Sequence, residues 1–217
     1  RVTPQDVTLN LGREAPVPEG EWKKVVHDQT STWLATWIES LTDKRKYVWL
    51  HDSAAIRQDN DRVKYDKAKK LAEHLPKVEK EIIRRMKASN DRAATAAYLI
   101  FKLAMRVGDE KDPDEADTVG ASTLRVEHIK FPKSNGKQQI EFNFLGKDSV
   151  PWQKTLEITS DDTMALHDNL KKFMEGKKPD ESIFDDINSR KVNAFFQTIM
   201  PGLSAKVFRT CIATKVV

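Results

Sequence analysis

The 217-residue sequence predicts an α+β fold, in which a small antiparallel sheet leads into a mainly helical lobe with β-hairpins of its own. Three observations carry that prediction. Strand-like runs rich in tryptophan and β-branched residues occupy the chain up to Leu50. A helical period of apolar residues begins near Asp61 and is filled between with charge. Turn signals at Asn135-Gly136 and Gly146-Lys147-Asp148 then reopen a strand pattern before helical periods resume.

Taken in order, Val7, Leu9 and Leu11 alternate as a short strand, and Pro16, Pro18 and Gly20 break it. Three further strands are expected over Trp22 to Asp28, Ser31 to Ile38 and Arg45 to Leu50. The short links Gln29-Thr30 and Thr42-Asp43-Lys44 suit hairpins. Trp33, Ala35 and Trp37 fall on one face of the middle strand and read as core. From Asp61 to Lys87, Val63, Leu71, Leu75, Val78, Ile82 and Ile83 recur at helical spacing, with Pro76 expected to kink or split the helix. Its basic residues Arg62, Lys64, Lys67, Lys69 and Lys70 fit either a solvated face or a phosphate-facing one.

Asn90 is a suitable cap for an alanine-rich helix expected to end near Arg106, with Gly108 as its stop. An acidic loop follows, from Asp109 through Glu110, Asp112, Asp114 and Glu115 to Asp117. Strands are expected over Leu124 to Phe131, Gln138 to Leu145 and on to Ile158. Ser160 then caps a helix to about Glu175, another covers Asn188 to Met200, and Ser204 caps a last one.

Composition narrows the class. The net charge is +4 and the charged fraction 32%, and no run reaches the roughly 18–20 apolar residues of a membrane span. A single Cys, Cys211, excludes an intramolecular disulfide and a Cys-rich zinc site. No secretory leader is visible after Arg1, and the lack of an initiating Met is what a fragment would show. A pI near 9.0 favours a polyanionic partner mildly. There is no P-loop, GxGxxG, HExxH or GxSxG, and the five His residues are scattered, so no metal or other cofactor is called for. The acidic loop lacks the central Gly and closing Glu of an EF-hand.

Four segments carry more information. They are Lys102-Leu-Ala-Met-Arg106-Val-Gly-Asp-Glu110; Ala116-Asp-Thr-Val-Gly120 with Leu124-Arg-Val-Glu-His-Ile129; Phe144-Leu-Gly-Lys147-Asp-Ser149; and Leu203-Ser-Ala-Lys206-Val-Phe-Arg209-Thr210. In order and wording the set closely resembles the catalytic core of eukaryotic-type DNA topoisomerase IB. The likeness extends back through Trp22 to Asp28, Trp33-Leu34 and Lys46-Tyr47. It implies the DNA breaking-rejoining fold shared with tyrosine recombinases, with residues 1–52 finishing a strand-rich DNA-clamp lobe and 53–217 forming a catalytic lobe incomplete at its C-terminus.

The resemblance implies site residues one by one. Arg106 matches the family's first catalytic arginine, Lys147 its lysine and Arg209 its second arginine. The family's histidine and nucleophilic tyrosine are expected beyond Val217, since none of Tyr47, Tyr65 and Tyr98 has that tyrosine's context. Lys46, Ser53, Arg57 and Lys206 match positions near DNA, and Asp148 matches a position beside the site of camptothecin-type inhibitors. The family's Ser-Ser-Arg stretch reads Ser53-Ala54-Ala55 here, a departure at expected phosphate contacts. The chemistry agrees with these roles: arginine forks suit the charge of a pentacoordinate phosphorane, and a hairpin-tip lysine suits protonation of a leaving 5′ oxygen.

The implied activity is ATP-independent relaxation of supercoiled DNA through a transient 3′-phosphotyrosyl bond. The implied partners are duplex DNA and a missing segment or second polypeptide bearing the tyrosine. No membrane is involved, and the expected location is intracellular: the nucleus in a eukaryote, the nucleoid in an archaeon. Two rival readings are the large subunit of a split enzyme and a non-catalytic DNA-binding module. A tyrosine recombinase shares the chemistry, but Lys206-Val-Phe-Arg209 and the Gly146-Lys147-Asp148-Ser149 turn argue against it.

Overall fold

The computed structural model describes residues 1–89, 91–109, 117–134 and 136–216. The expected Asn90 cap, the acidic stretch 110–116 and Asn135 lie outside the described residues. The chain divides into two compact units, Arg1–Lys64 and Tyr65–Val217. Among the described residues the elements are α+β, with five α-helices and two four-stranded sheets. None of those helices is long and apolar enough to cross a membrane.

In the first unit, β1 (Thr8–Asn10), β2 (Lys24–Val26), β3 (Trp33–Ile38) and β4 (Arg45–Trp49) form a sheet in the order β2-β1-β3-β4. This sheet is mixed rather than purely antiparallel, because β1 inserts between β2 and β3 and runs parallel to β2. Insertion puts the alternating Val7 and Leu9 at the centre of a small core with Ala35, flanked by Leu11, Trp22, Val25 and Trp37. Asn10 secures the arrangement. Its Nδ2 donates to Asp28 O at 2.8 Å and Trp33 O at 3.1 Å, and its Oδ1 accepts from Asp28 N at 2.8 Å. The link from β2 to β3 is therefore a loop instead of a hairpin. Hydroxyls of Ser31 and Thr30 donate to the Asp28 carboxylate and lower its pKa to about 2.

The expected β3–β4 hairpin is present. A bulge between Trp33 and Ala35 shifts the register, so Trp33 leaves the face it was expected to share with Ala35 and Trp37. Trp33 packs instead edge-on to Tyr47 at 6.3 Å.

Helix α1 (Ala55–Ser89) begins in the first unit and continues in the second, running through Pro76 without a break. Ala68 and Leu71 before the proline, and Val78, Ile82 and Met86 after it, are all buried. At about 1.5–3 kcal/mol for each large side chain, that stripe outweighs the ~3 kcal/mol of an interior proline. Helix α2 (Arg92–Leu103) is capped by Asp91, whose Oδ1 accepts from Ala93 N and Ala94 N at 2.8 and 3.1 Å. It ends at Leu103, three residues before Arg106, and its C-cap Ala104 takes the left-handed conformation (φ 54°) expected of Gly108.

The expected strand from Leu124 shortens to β5 (Ile129–Lys130), since Val126–His128 is a 3-10 turn. Strands β5, β6 (Lys133–Ser134) and β8 (Pro151–Glu157) all pair antiparallel with the central β7 (Lys137–Leu145). Helices α3 (Asp161–Met174), α4 (Ser189–Ile199) and α5 (Ala205–Val216) complete the unit. Ser160 and Asn188 cap α3 and α4 as expected. Buried Asn169 ties α3 to α1 and α2, its Nδ2 donating to Met86 O at 3.0 Å and Thr95 Oγ1 at 3.1 Å. An unpaired amide there costs roughly 1–3 kcal/mol, so this link fixes how the helices meet.

Candidate functional site

Arg106 stands on an irregular segment after α2, not on the helix itself. Buried Met105 anchors the segment and leaves Arg106 exposed. Its carbonyl accepts from Ala121 N at 2.8 Å, and Val107 O accepts from Ser122 N at 2.7 Å. Ser122 Oγ lies 2.8 Å from both Val107 O and Gly108 O. The contact is so close that a Cβ on Gly120 would lie 2.4 Å from Gly108 N and 2.7 Å from Arg106 O. The same stretch holds the Lys147 hairpin, because Val119 N donates to Leu145 O at 2.8 Å. One three-residue strip, Val119 to Ala121, thus braces both basic residues' segments. This role escaped the sequence reading; two glycines twelve positions apart, Gly108 and Gly120, were its only trace.

Lys147 opens the turn between β7 and β8. Asp148 (φ 63°) and Ser149 (φ 57°) are consecutive left-handed residues, a conformation that side chains occupy only at some energetic cost. Gly146 N closes the turn onto Val150 O at 2.8 Å. Beneath it Trp152 stacks on Phe144 at 4.8 Å, and His128 packs against Phe144 at 5.9 Å. The turn therefore rests on a rigid aromatic base, while the Lys147 side chain is 60% exposed, with Asp148 at 4.0 Å.

Arg209 lies on α5, whose Val207, Phe208 and Cys211 are buried. Phe208 packs against Phe196 of α4 at 4.8 Å and Phe101 of α2 at 6.2 Å. The helix start is held by Ser204 Oγ, accepting from Val207 N at 3.4 Å, and by Asn193 Oδ1, accepting from Ala205 N at 3.0 Å. Arg209 is half-buried. Burial lowers its pKa from the usual guanidinium value, and the positive charge of Arg106 lowers it further. The two guanidiniums, from separate elements, are therefore near enough for their charges to interact. Lys206, exposed, is one turn earlier on α5. Among the described residues no carboxylate pairs with Arg106, Lys206 or Arg209. Such a cluster is under-neutralised and suited to a phosphate.

The first unit holds Lys46, Ser53 and Arg57. Lys46 on β4 lies 3.4 Å from Glu39. Ser53 Oγ is 2.8 Å from His51 Nδ1. Arg57 donates to Leu50 O at 2.6 Å and pairs with Asp52 at 2.7 Å. Asp52 is 85% exposed, so the pair is worth less than about 1 kcal/mol.

The tyrosines of the chain separate clearly. Tyr98 is buried, and burial pushes its pKa up to about 12, which removes it as a nucleophile. Tyr47 and Tyr65 are exposed. Among the described residues no group of three or more His, Cys, Asp or Glu side chains converges as a metal site would.

Fold and site together define an α+β core that carries a cluster of cationic side chains without carboxylate partners among the described residues. The family described as eukaryotic DNA topoisomerase I, catalytic core, matches residues 53–217, and its DNA binding fragment matches residues 1–50. The chain belongs to the eukaryotic DNA topoisomerase I family. It is 40% identical over 219 residues to DNA topoisomerase 1 beta of Arabidopsis thaliana, covering 97% of this chain and 23% of that protein. Similarity to DNA topoisomerase 1 of Drosophila melanogaster is 39% identity over 224 residues, covering 99% and 23%. For DNA topoisomerase 1 of Homo sapiens it is 38% over 220 residues, covering 97% and 28%. The chain thus spans about a quarter of the length of these curated relatives.

Proposed function

We propose that this chain is the core of a type IB DNA topoisomerase, which cleaves one strand of duplex DNA through a 3′-phosphotyrosyl bond and reseals it without ATP. One observation carries the reading: Arg106 and Arg209 lie within range of each other's charge, without a carboxylate partner among the described residues, an arrangement that a phosphodiester would neutralise. In the reaction the tyrosine hydroxyl loses its proton to solvent, its oxygen bonds to the scissile phosphorus, and the phosphorus bond to the 5′ oxygen breaks. Arg106 and Arg209 stabilise the extra negative charge on the non-bridging oxygens, with Lys206 beside the same phosphate. Lys147 gives its proton to the departing 5′ oxygen, and Asp148 lies beside the space where a camptothecin-type inhibitor would sit. Resealing runs the same steps backwards.

Lys46, Ser53 and Arg57 contact flanking phosphates, a grip with little sequence preference. The functional boundary lies near residue 52, between a clamp lobe and the catalytic lobe. The nucleophilic tyrosine and the histidine come from a segment or second polypeptide outside these 217 residues, and the site of action is the nucleus.

The test uses negatively and positively supercoiled plasmid, without ATP and with chelator. This chain binds but does not relax either plasmid, and supplying the tyrosine-bearing segment gives relaxation and a covalent 3′ adduct. Relaxation that survives both Arg106→Ala and Arg209→Ala would overturn the reading.

A further inference from the structure

Trp49 is 55% exposed at the end of β4, the edge strand of its sheet, and Tyr47, 40% exposed, stacks on it at 5.2 Å. Alternation along β4 sends Lys46 and Val48 to the side of Trp37 and Ala35, so Tyr47, Trp49 and Trp33 share the opposite face. Large apolar rings left in water on a strand edge call for a ligand that covers them. Beside them is a cleft of about 320 Å³ lined by Thr32, Trp49, Arg57, Asn60 and Asp61, which is the size of a small-molecule site.

The lining is chemically specific. Trp49 offers a ring face. The Asn60 carboxamide, two donors and an acceptor, makes no hydrogen bond to protein among the described residues. Thr32 adds a hydroxyl and Asp61 a carboxylate, the latter also 3.1 Å from Lys64. Arg57 supplies a guanidinium fixed by Leu50 O and Asp52. A π-face to stack, an edge of donors and acceptors to read and a cation for the backbone are together the requirements of a nucleobase. A base within a duplex cannot meet them, because its faces are stacked and its pairing edge is occupied.

We propose that the cleft beside Trp49 binds an unpaired nucleobase of a DNA strand, a subsite separate from the arginine cluster. Its placement next to Arg57 rests on the duplex-binding reading above, but its chemistry does not. The site makes the protein favour DNA with a single-stranded stretch at the edge of the gripped duplex.

The experiment compares three probes at one salt concentration: a 30-base-pair duplex, the same duplex with a ten-nucleotide dT tail, and free oligo-dT. Each is titrated into the full chain and its Trp49→Ala and Trp49→Phe variants, with folding checked by circular dichroism. The tail is expected to tighten binding roughly 5- to 150-fold, the worth of one stacked base, and to quench tryptophan fluorescence. Trp49→Ala abolishes that gain and leaves duplex affinity within about two-fold; Trp49→Phe keeps most of the gain. If the plain duplex binds but the tail adds nothing, the nucleobase site is wrong while the duplex reading stands. If the gain survives Trp49→Ala, the base binds elsewhere and the proposal falls. If the duplex is not bound at all, the duplex reading falls, and oligo-dT binding lost in Trp49→Ala still supports the cleft, whereas its absence overturns that as well.

Discussion

Replacing Gly120 with alanine should disable the arginine cluster without touching either arginine. The added Cβ would sit 2.4 Å from Gly108 N, 2.5 Å from Gly108 Cα and 2.7 Å from Arg106 O. All three are backbone atoms, so no side chain can turn aside, and relief requires the two segments to part by about 1 Å. The φ of Gly120, −135°, is open to alanine, so the effect is purely steric. Overpacking of this kind costs about 1–3 kcal/mol, and losing the Ala121 N to Arg106 O bond adds about 1 kcal/mol. A sum of roughly 2–4 kcal/mol lowers Tm by about 4–16 °C for a unit of this size.

The assay is thermal unfolding with and without inorganic phosphate. Phosphate should raise the Tm of the parent protein beyond its general salt effect, because a ligand bound only by the native state stabilises it. That specific gain should vanish in Gly120→Ala and in Arg106→Ala, since both displace or remove one wall of the anion site. Gly176→Ala is the control: it has open space around the new Cβ and only its φ of 75° to pay for. A Gly120→Ala protein that unfolds within about 1 °C of the parent and keeps the phosphate response would refute the bracing argument.

Stability should also depend on pH through His128. Burial, then the charge of Arg125, lowers its pKa, so the unfolded chain binds more protons between that lowered value and about 6.5, and stability falls as pH drops through this window; denaturant titrations of His128→Asn should show a shallower slope there. With the tyrosine-bearing segment supplied, Lys147→Ala should slow cleavage roughly 10²–10⁴-fold and leave DNA affinity nearly unchanged. A substrate with sulfur at the 5′-bridging position, which needs no proton to leave, should restore the rate; if it does not, Lys147 acts by charge or position alone. Duplex affinity measured from low to high salt should fall steeply, as phosphate contacts release counterions, and a flat response would remove the phosphate grip.

Where local signals agreed with the tertiary outcome, the sequence was easy to read. Ser160, Asn188 and Ser204 cap their helices because a hydroxyl or carboxamide oxygen satisfies free helical amides wherever the helix later packs. The β7–β8 turn was equally legible from Gly146-Lys147-Asp148. Misreadings arose where distant contacts decided. The partner of β2 depended on Asn10 reaching Asp28 and Trp33, and no local pattern announces such a bridge. The bulge that turns Trp33 away from Ala35 is a one-residue shift hidden inside a regular alternation. Pro76 looked like a break, yet the buried stripe on either side carried the helix through it. The arginines were found by resemblance, and their electrostatic coupling through folding alone; position along the chain says nothing about a charge 103 residues away, from Arg106 to Arg209.

The nearness of these two charges has an energetic cost that points to its use. Two like charges at close range destabilise the native state, more so when one is half-buried. Both backbones are fixed. Ala121 and Ser122 hold Arg106 and Val107 in place, and the ring of Phe208, adjacent to Arg209, is locked between Phe196 and Phe101. Phe101 belongs to α2, five residues before Arg106. The packing that seats α5 therefore acts on the same helix that leads to the first arginine, so the hydrophobic core sets how close the two backbone positions lie. A core that brings two cationic positions near each other in this way would lessen the reorganisation needed to receive an anion. Preorganisation of that kind is what a charge-stabilising site requires, since donors already in place need no reorganisation when negative charge develops between them.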